Sequence, residues 1–405
     1  MMNLLKMAYR NLGRNRRRTA LSALALSIGV ALLLFISAFF KGEMRGSLES
    51  TLRLESGHIQ VQAADYDPDK LSVAWEYLVE NPEKIAAQIE TLDQVQFATP
   101  RLVASGIVSV GDESSGVQIM GIDPESEANS IYRQGLIAGE FLNADDREGI
   151  LIGSPLAENM GLKVGDQLTL LVNTANGNVD QQKFTVRSIF STGATTYDKG
   201  IVFLPLAKAQ AFTGAENHAS YIFVLLYDKE QADVVAAQIT GTGYKVKTWR
   251  EMNELLVLIN DFAGAYIVFI NLIVLGVTAT VIINTLLMSV FERTREIGIL
   301  SAIGMKGRQI TALFLAEAFL LAVGGTILGL LVGWALSAYF GQVGIYFGDL
   351  GITGIVFEDR IYAYLTLADA VNLTITTFII TLLASLYPAR MASRMEPVEA
   401  LHSAQ

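Results

Sequence analysis

The sequence predicts a membrane α-helical protein with four transmembrane helices and a large α+β extracytoplasmic domain inserted between the first and second of them. The first observation behind this fold class is composition, because 51% of the 405 residues are hydrophobic, 17% are charged, and the mean hydropathy is +0.39. Such values are typical of a membrane protein with a sizeable polar part. The second observation is that four apolar segments reach the length of about 20 residues that spans a bilayer.

The four apolar segments cover residues 19–40, 262–291, 311–340 and 367–387. Residues 1–18 carry six Lys or Arg side chains and no acidic one, and the 292–310 loop carries four basic residues. By the positive-inside rule, both termini and this loop are cytoplasmic, including a tail over 388–405, and the 341–366 loop is extracytoplasmic. No small-residue cleavage site precedes Lys41, which favours a retained anchor over a cleaved signal peptide.

The basic N-terminal segment, residues 1–18, is predicted to form an amphipathic helix on the cytoplasmic leaflet. Its arginines would interact with anionic membrane lipids. Nucleic-acid binding is the poorer interpretation, because the basic cluster directly precedes a membrane span.

Two of the membrane helices are predicted to continue outside the bilayer as stalks. The first runs over residues 19–56, and the second over 248–291, starting at a capping box formed by Thr248 and Glu251. A helix of this second length measures roughly 65 Å, against a hydrocarbon core of about 30 Å. The predicted stalk residues, which recur at helical spacing, are Met252, Leu255, Leu256 and Ile259.

The segment between the stalks, residues 57–247, is predicted to be the extracytoplasmic domain. Strand and helix patterns indicate a split α/β module over 57–102 and 221–247, interrupted by a β-rich insert over 103–220. From Lys41 to Asp261 the chain carries 31 acidic and 17 basic residues. Solubility explains this excess most simply, and electrostatic steering of a cationic partner or substrate is the alternative.

The 292–310 loop is predicted to present a short amphipathic helix to a protein partner. Ile299, Leu300 and Ile303 share one helical face, and Gly304 stands where the helix would end. By pattern alone, an ordinary loop resting its apolar residues on lipid headgroups is equally acceptable. The predicted partner-contacting residues are Glu292, Arg293, Arg295, Glu296, Ile297, Ile299, Leu300, Ile303 and Met305.

The third span carries glycines at intervals of four, Gly325, Gly329 and Gly333, which predicts close packing against another helix. The same span contains Glu317, a carboxylate near its cytoplasmic start. Snorkelling or pairing with Lys306 or Arg308 would satisfy it, and a functional role is the alternative.

Several kinds of chemistry are missing from the sequence. No Gly-x-x-x-x-Gly-Lys-Ser/Thr stretch occurs, the three histidines lie far apart, and there is no cysteine and no hydrolase motif. No catalytic, cofactor-binding or metal-binding residue is therefore predicted.

Four segments together resemble one family of ABC-transporter permeases, which includes the lipoprotein-releasing permeases, the macrolide-exporter permeases and the FtsX cell-division proteins. These segments are 292–306 (ERTREIGILSAIGMK), 387–390 (YPAR) with 395–401 (MEPVEAL), 149–153 (GILIG) and 161–166 (GLKVGD). The resemblance covers nearly the whole chain. It implies a location in the bacterial inner (plasma) membrane and identifies the 292–310 segment as a coupling helix that binds separate ATPase subunits.

The resemblance also implies how such a chain works. Two copies, or this chain with a paralogue, would bind two ATPases that hold ATP and Mg²⁺, while this chain holds no cofactor. ATP-driven motion would travel along the second stalk to the extracytoplasmic domain, where an adaptor protein or a lipoprotein is a further expected partner. Residues 57–61 (GHIQV) look most like the lipoprotein-releasing type. A macrolide or peptide efflux permease, and an FtsX-like activator of an extracytoplasmic hydrolase that transports nothing, are the alternatives.

Overall fold

The structure, a computed structural model, describes residues 2–14, 16–239, 243–348 and 356–395. They form two compact units. The membrane unit comprises described residues of 1–44, 260–345 and 361–405, and the sheet unit comprises described residues of 45–259 and 346–360. Most of the predicted family segment 395–401 lies outside the described residues, as do part of the 341–366 loop and residues 240–242 of the predicted α/β module.

The helices of the described chain include four that are long and apolar enough to cross a membrane, namely the second, tenth, twelfth and thirteenth. The helices are α1 (Met2–Arg14), α2 (Arg16–Thr51), α3 (Pro82–Ile89), α4 (Ser130–Gln134), α5 (Ser154–Asn159), α6 (Thr195–Gly200), α7 (Leu206–Thr213), α8 (Ala232–Ile239), α9 (Trp249–Met252), α10 (Glu254–Glu292), α11 (Thr294–Ala302), α12 (Gly307–Val343) and α13 (Leu367–Ser393). The large sheet unit includes chain between the first two membrane helices, so the fold class agrees with the one predicted.

The last membrane helix is longer than the predicted span, which ended at Tyr387. Helix α13 continues through Pro388 to Ser393. Buried Pro388, Ala389 and Ala392 lie on its final two turns, so packing of this end outweighs the hydrogen bond that proline cannot donate.

Ten described strands of the sheet unit build one large mixed sheet. The strands of the described chain are β1 (Ile59–Gln62), β2 (Val79–Glu80), β3 (Val95–Val110), β4 (Glu113–Ile122), β5 (Leu136–Gly139), β6 (Gly149–Gly153), β7 (Gln167–Asn173), β8 (Val179–Phe190), β9 (Ile201–Pro205), β10 (His218–Ala219), β11 (Tyr221–Leu226), β12 (Lys245–Thr248), β13 (Ile345–Tyr346) and β14 (Arg360–Ile361). The order in the large sheet is β12-β1-β11-β3-β4-β9-β6-β8-β5, and β7 pairs with β3 and β8. Strands β2 and β10 form a separate two-stranded sheet. Two pairs, β4 with β9 and β6 with β8, are parallel.

The predicted division into an α/β module and a separate β-rich insert is wrong in one respect. Strand β3 has 16 residues and passes through the predicted boundary at residues 102 and 103. Its first half pairs with β11 as far as Arg101, and its second half pairs with β4 from Leu102 onward. The change of partner occurs at the predicted boundary, but the backbone ladder continues across it and joins both parts into one sheet.

The outer end of α2 is fixed by a buried arginine that the sequence did not identify. A π-helical turn, Leu52–Ser56, follows α2, and its Leu54 carbonyl accepts a hydrogen bond of 2.9 Å from Arg101. Arg101 is fully buried and its guanidinium lies 3.5 Å from the centre of the Phe223 ring. The Leu54 carbonyl also accepts a hydrogen bond of 3.1 Å from the Tyr132 hydroxyl. A cation at a helix C-terminus is electrostatically favourable.

The second stalk is not the single helix from residue 248 that the sequence predicted. The capping box of Thr248 and Glu251 is present, with the Thr248 N–H donating to the Glu251 carboxylate at 2.9 Å. The short helix α9 then ends at Asn253, whose φ of −118° and ψ of 48° are not helical. The side-chain amide of Asn253 donates to the Trp249 carbonyl, so a local turn interrupts the helix at Asn253. The continuous helix starts at Glu254.

Candidate functional site

The candidate site is the short helix α11 and its immediate supports in the membrane unit. Helix α11 follows Arg293, whose non-helical φ of −110° and ψ of 12° separate it from α10. Its end is a Schellman motif: Gly304 has φ of 102°, its N–H donates to the Ser301 carbonyl, and the Met305 N–H donates to the Leu300 carbonyl. A helix of nine residues is too short to be stable alone in water, so contacts with other helices must hold it.

The exposed surface of α11 consists of two isoleucines with charged neighbours. Ile299 is 43% exposed and Ile303, at the C-terminal end, is 80% exposed. Two of the predicted contact residues, Glu292 and Arg295, are also exposed. The predicted residues Glu296, Leu300 and Met305 are half-buried.

Ile297, also predicted to contact a partner, instead anchors α11 inside the membrane unit. It is 4% exposed and belongs to a buried cluster with Val290, Ile310, Phe314, Ala389 and Ala392. The cluster joins α11 to the ends of α10, α12 and α13. The sequence interpretation failed here because a 3.6-residue period shows which residues share a face but not which face is covered.

Arg293 was likewise predicted to contact a partner, and the structure buries it. Its guanidinium lies 2.9 Å from the Glu317 carboxylate, and the side chains of the two residues are 6% and 3% exposed. Arg293 also donates to the Asn11 carbonyl at 3.0 Å, and the Asn11 amide donates to Glu317 at 2.7 Å. Glu317 is therefore satisfied by Arg293 and Asn11, not by the predicted Lys306 or Arg308. The three residues tie α1, the start of α11 and α12 together.

A second polar contact joins α1 to α11, between Arg14 and Glu296. The Arg14 guanidinium donates a hydrogen bond to the Glu296 carboxylate. This hydrogen bond raises the pKa of Arg14 above its usual value. Because the side chains of Arg14 and Glu296 are 63% and 44% exposed, solvent screens the pair and it contributes little to stability, but it limits where α11 can lie on α1. Local sequence patterns could not predict this pairing, because the two residues are 282 positions apart.

The three glycines of α12 lie against α2 within the membrane unit. A Cβ atom added at Gly325 would come within 2.7 Å of the Leu26 side chain, and one at Gly329 would come within 2.6 Å of Val30. At Gly333 the nearest atom would be 2.9 Å away, in Leu34. Since real Cβ contacts are longer, larger residues would push these helices apart.

The four predicted stalk residues differ in their surroundings. Leu256 is 3% exposed and lies in the first turn of α10, while Leu255 is 51% exposed and Ile259 is 36% exposed. Met252 is half-buried and ends α9. Only Leu256 therefore packs fully, and the continuous helix begins two residues beyond Met252.

The described residues hold no cluster of three or more His, Cys, Asp or Glu side chains placed to bind a metal ion. The polar groups around α11 are also engaged with one another. Arg293, Glu317 and Asn11 are hydrogen-bonded to one another, and Glu296 has its partner in Arg14. The chemistry that the site offers is recognition through exposed apolar residues on an anchored helix.

Comparison with known families agrees with this architecture. Residues 19–242 match the family described as the MacB-like periplasmic core domain, and residues 268–397 match the FtsX-like permease C-terminal family. The first match covers more than half of the chain. The chain belongs to the FtsX-like ABC-transporter permeases. The family resemblance predicted from the coupling-helix segment is confirmed.

Relatives of the permease include both lipoprotein-releasing and macrolide-exporting proteins. It is 24% identical to the lipoprotein-releasing system transmembrane protein LolC of Neisseria meningitidis, over 95% of this chain and 93% of that protein. It is 26% identical to the macrolide export ATP-binding/permease protein MacB of Marinobacter nauticus, over 98% of this chain and 60% of that protein. The periplasmic region of MacB from Actinobacillus actinomycetemcomitans covers 48% of the chain at 14% identity and a TM-score of 0.34.

Proposed function

We propose that this permease binds ATPase subunits through the exposed face of α11 and passes their ATP-driven motion to its extracytoplasmic domain. The observation that carries the proposal is the exposure of Ile299 and Ile303 on a short helix whose opposite side is anchored by Ile297 and Arg293. Exposed apolar residues on a helix that is held firmly in place are suited to binding an apolar pocket of another protein. ATP and Mg²⁺ belong to the ATPase in this proposal, and the permease itself holds no cofactor.

The path of the motion is helix α10. It runs without interruption from Glu254 to Glu292, and its last residue is two positions before the start of α11. Its 39 residues measure roughly 58 Å at 1.5 Å per residue, which exceeds the hydrocarbon core of about 30 Å. A helix of that length with an intact backbone ladder is stiff enough to transmit displacement. The positive-inside rule places α11 and both termini on the cytoplasmic side.

The proposed substrate class is a lipoprotein, released from the membrane by a complex of two permease chains and two ATPases. The similarity to LolC supports this class because it extends over 93% of that protein. Export of a macrolide or a peptide is the second candidate, which the 26% identity to MacB supports. Reconstitution with the ATPase and an extracytoplasmic adaptor distinguishes them, since only one of the two substrates should leave the liposome on addition of ATP.

Substitution of Ile303 by aspartate tests the ATPase contact. Because Ile303 is 80% exposed, Ile303→Asp leaves the fold intact, whereas a charge buried in an apolar socket costs several kcal/mol. We expect the tagged ATPase to be lost on co-purification, and Ile303→Leu to retain it. Leu300→Asp is a poorer test, because Leu300 is half-buried and its replacement also disturbs α11.

Val179→Asp is the matched control, because Val179 in the sheet unit is 68% exposed, close to the 80% of Ile303. It should retain the ATPase. Stoichiometric ATPase and full ATP-driven release in Ile303→Asp would show that the ATPase binds elsewhere. If Ile303→Asp retained the ATPase but no longer released substrate, Ile303 would be needed for the transmission of motion and not for binding.

A further inference from the structure

The chain between the last two membrane helices returns to the sheet unit. Residues 346–360 follow α12 and precede α13, which both lie in the membrane unit, yet these residues belong to the sheet unit. We call residues 356–360 the strap. Val356, at its start, is 4% exposed and belongs to a buried cluster with Leu54 and Phe223. The strap is therefore built into the core of the sheet unit.

One side of the strap is hydrogen-bonded to the outer end of α2. The Val356 N–H donates to the Thr51 hydroxyl at 3.2 Å, and the Ser47 hydroxyl donates to the Val356 carbonyl at 3.4 Å. The Ser50 hydroxyl donates to the Glu358 carboxylate at 2.6 Å. Ser47, Ser50 and Thr51 are all buried, and they share a helical face because they are three and four positions apart. Three small hydroxyl side chains therefore fix the position of the strap along α2.

The other side of the strap is bonded to the segment that connects β8 to β9. The Asp359 carboxylate accepts the Thr195 N–H at 3.0 Å and the Thr195 hydroxyl at 2.6 Å, and the Asp359 N–H donates to the Gly193 carbonyl at 2.7 Å. Thr195 is the first residue of α6, and the preceding Ala194 has no side-chain oxygen that could accept a free N–H at the helix start. Asp359 supplies that acceptor from 164 positions away.

The segment that Asp359 binds is itself held firmly by a second carboxylate. Asp198 of α6 is 1% exposed and accepts hydrogen bonds from the Ser191 hydroxyl at 2.9 Å, the Thr192 N–H at 2.9 Å and the Thr192 hydroxyl at 2.7 Å. Strand β8 ends directly before this segment, and β9 begins directly after α6. Both strands pair with β6 in the large sheet. A displacement of the strap would therefore reach paired strands of the sheet.

We propose that the strap is a third mechanical connection between the membrane helices and the sheet unit, beside α2 and α10, with Glu358 and Asp359 as its positioning residues. The inference rests on the proposed function, because it concerns the same ATP-driven motion. Seven residues, 360–366, separate Asp359 from the start of α13. Such a link spans at most about 25 Å when fully extended, so little free chain lies between the strap and the helix.

The cytoplasmic end of α13 connects this route to α11. Ala389 and Ala392 of α13 lie in the buried cluster that contains Ile297 of α11. Displacement of α11 by an ATPase would therefore shift α13, and the strap would pass that shift to α6 and the strands beside it. The route does not depend on which substrate the permease exports.

The test uses the full chain with its ATPase in lipid nanodiscs, with ADP and in the state trapped by ATP and vanadate. Hydrogen–deuterium exchange with mass spectrometry of residues 191–200 reports whether the nucleotide-driven motion reaches the segment that the strap binds. We expect exchange there to differ between the two states of the unmodified chain. In Glu358→Ala combined with Asp359→Ala, the Thr195 N–H loses its acceptor and should exchange about 5- to 150-fold faster in both states. The difference between the states should disappear.

Two further variants separate transmission from local loosening of α6. Ser47→Ala combined with Ser50→Ala loosens the strap on α2 and leaves both contacts of Asp359 in place, so exchange with ADP should stay unchanged while the response to nucleotide shrinks. Thr195→Cys combined with Asp359→Cys places two thiols in a chain that has no native cysteine. The free thiols should give no response to nucleotide, and bridging them with a short bis-methanethiosulfonate should restore it.

The matched control is Asp145→Ala combined with Glu148→Ala, which removes the same two side-chain types from exposed positions of the sheet unit. It should respond to nucleotide as the unmodified chain does. An equal response in the strap variant and the control would overturn the proposal, as would a bridged variant that stays without a response. An unmodified chain that binds its ATPase but shows no response over 191–200 would overturn it as well. Failure to bind the ATPase at all would instead overturn the proposed function, and this inference with it.

Discussion

The buried ion pair between Arg293 and Glu317 offers the sharpest test of how α11 is held. In Arg293→Met the long apolar side chain keeps most of the volume of arginine, but the charge is lost. Glu317 would then remain buried, with the Asn11 amide at 2.7 Å as its remaining side-chain donor. The change therefore removes the ion pair, and with it the hydrogen bond to the Asn11 carbonyl, at nearly constant side-chain volume.

The size of the effect follows from the burial of both partners. Removing one member of a buried pair costs about 3–5 kcal/mol, because the other charge is left uncompensated. The side chains here are 6% and 3% exposed, so little solvent screening reduces this cost. If the loss appears as local opening of α11, amide exchange there should accelerate about 10²- to 10⁴-fold, at about 1.4 kcal/mol per factor of ten. Arg293→Met combined with Glu317→Leu removes both charges and should restore most of the protection.

Hydrogen–deuterium exchange with mass spectrometry measures this directly, on peptides that cover α11 and the start of α12. Arg295→Met is the control, since it makes the same substitution two residues away at an exposed position. We expect the control to exchange like the unmodified chain. Equal exchange in Arg293→Met and Arg295→Met would refute the assigned role of the pair. Failure of the double substitution to recover protection would show that Arg293 acts through its other contacts.

Three further predictions concern the stalk, the membrane orientation and the response to pH. Ala265→Pro interrupts the interior of α10 at a cost of about 3 kcal/mol or more, so it should reduce ATP-driven release of substrate. Leu255→Pro, in the first turn of α10, should not reduce it. Equal release by the two variants would exclude α10 as the path of the motion. A cysteine at Asn176 should react with an impermeant maleimide outside intact cells, and one at Ser301 should not, in a chain that has no native cysteine; the reverse labelling would invert the orientation. Burial lowers the pKa of His58 from 6.5 to about 4 in the folded chain. The unfolded chain therefore takes up the proton first, so the contribution of His58 to stability, complete above pH 6.5, should be lost as the pH falls towards 4. Thermal unfolding of His58→Gln should show a smaller loss of stability with falling pH, and an unchanged loss would assign the effect to other groups.

Much of the fold could be predicted because hydrophobic length and period depend on local sequence. The four apolar segments, the capping box at Thr248 and the helix end at Gly304 are all encoded by neighbouring residues. The burial of Arg293 could not be predicted in this way, because its partner Glu317 lies 24 residues away and its second partner Asn11 lies 282 residues away. The break at Asn253 depends on a side-chain hydrogen bond that competes with the helix, and periodicity does not report it.

The anchoring of α11 has a consequence for the route of the proposed motion. Helix α11 is joined covalently to α10, but Arg293 also binds Glu317 of α12, and Ile297 packs on Ile310 and Phe314 of the same helix. A pull on α11 by an ATPase would therefore reach α12 together with α10. A hinge in α10 alone leaves the α12 contacts intact, so Ala265→Pro should reduce coupled release without abolishing it. Combining it with Arg293→Met weakens the second route as well, and release should then fall below that of either single variant. If the combined variant released as much substrate as Ala265→Pro alone, the ion pair would serve only to hold α11 in place, and α12 would carry none of the motion.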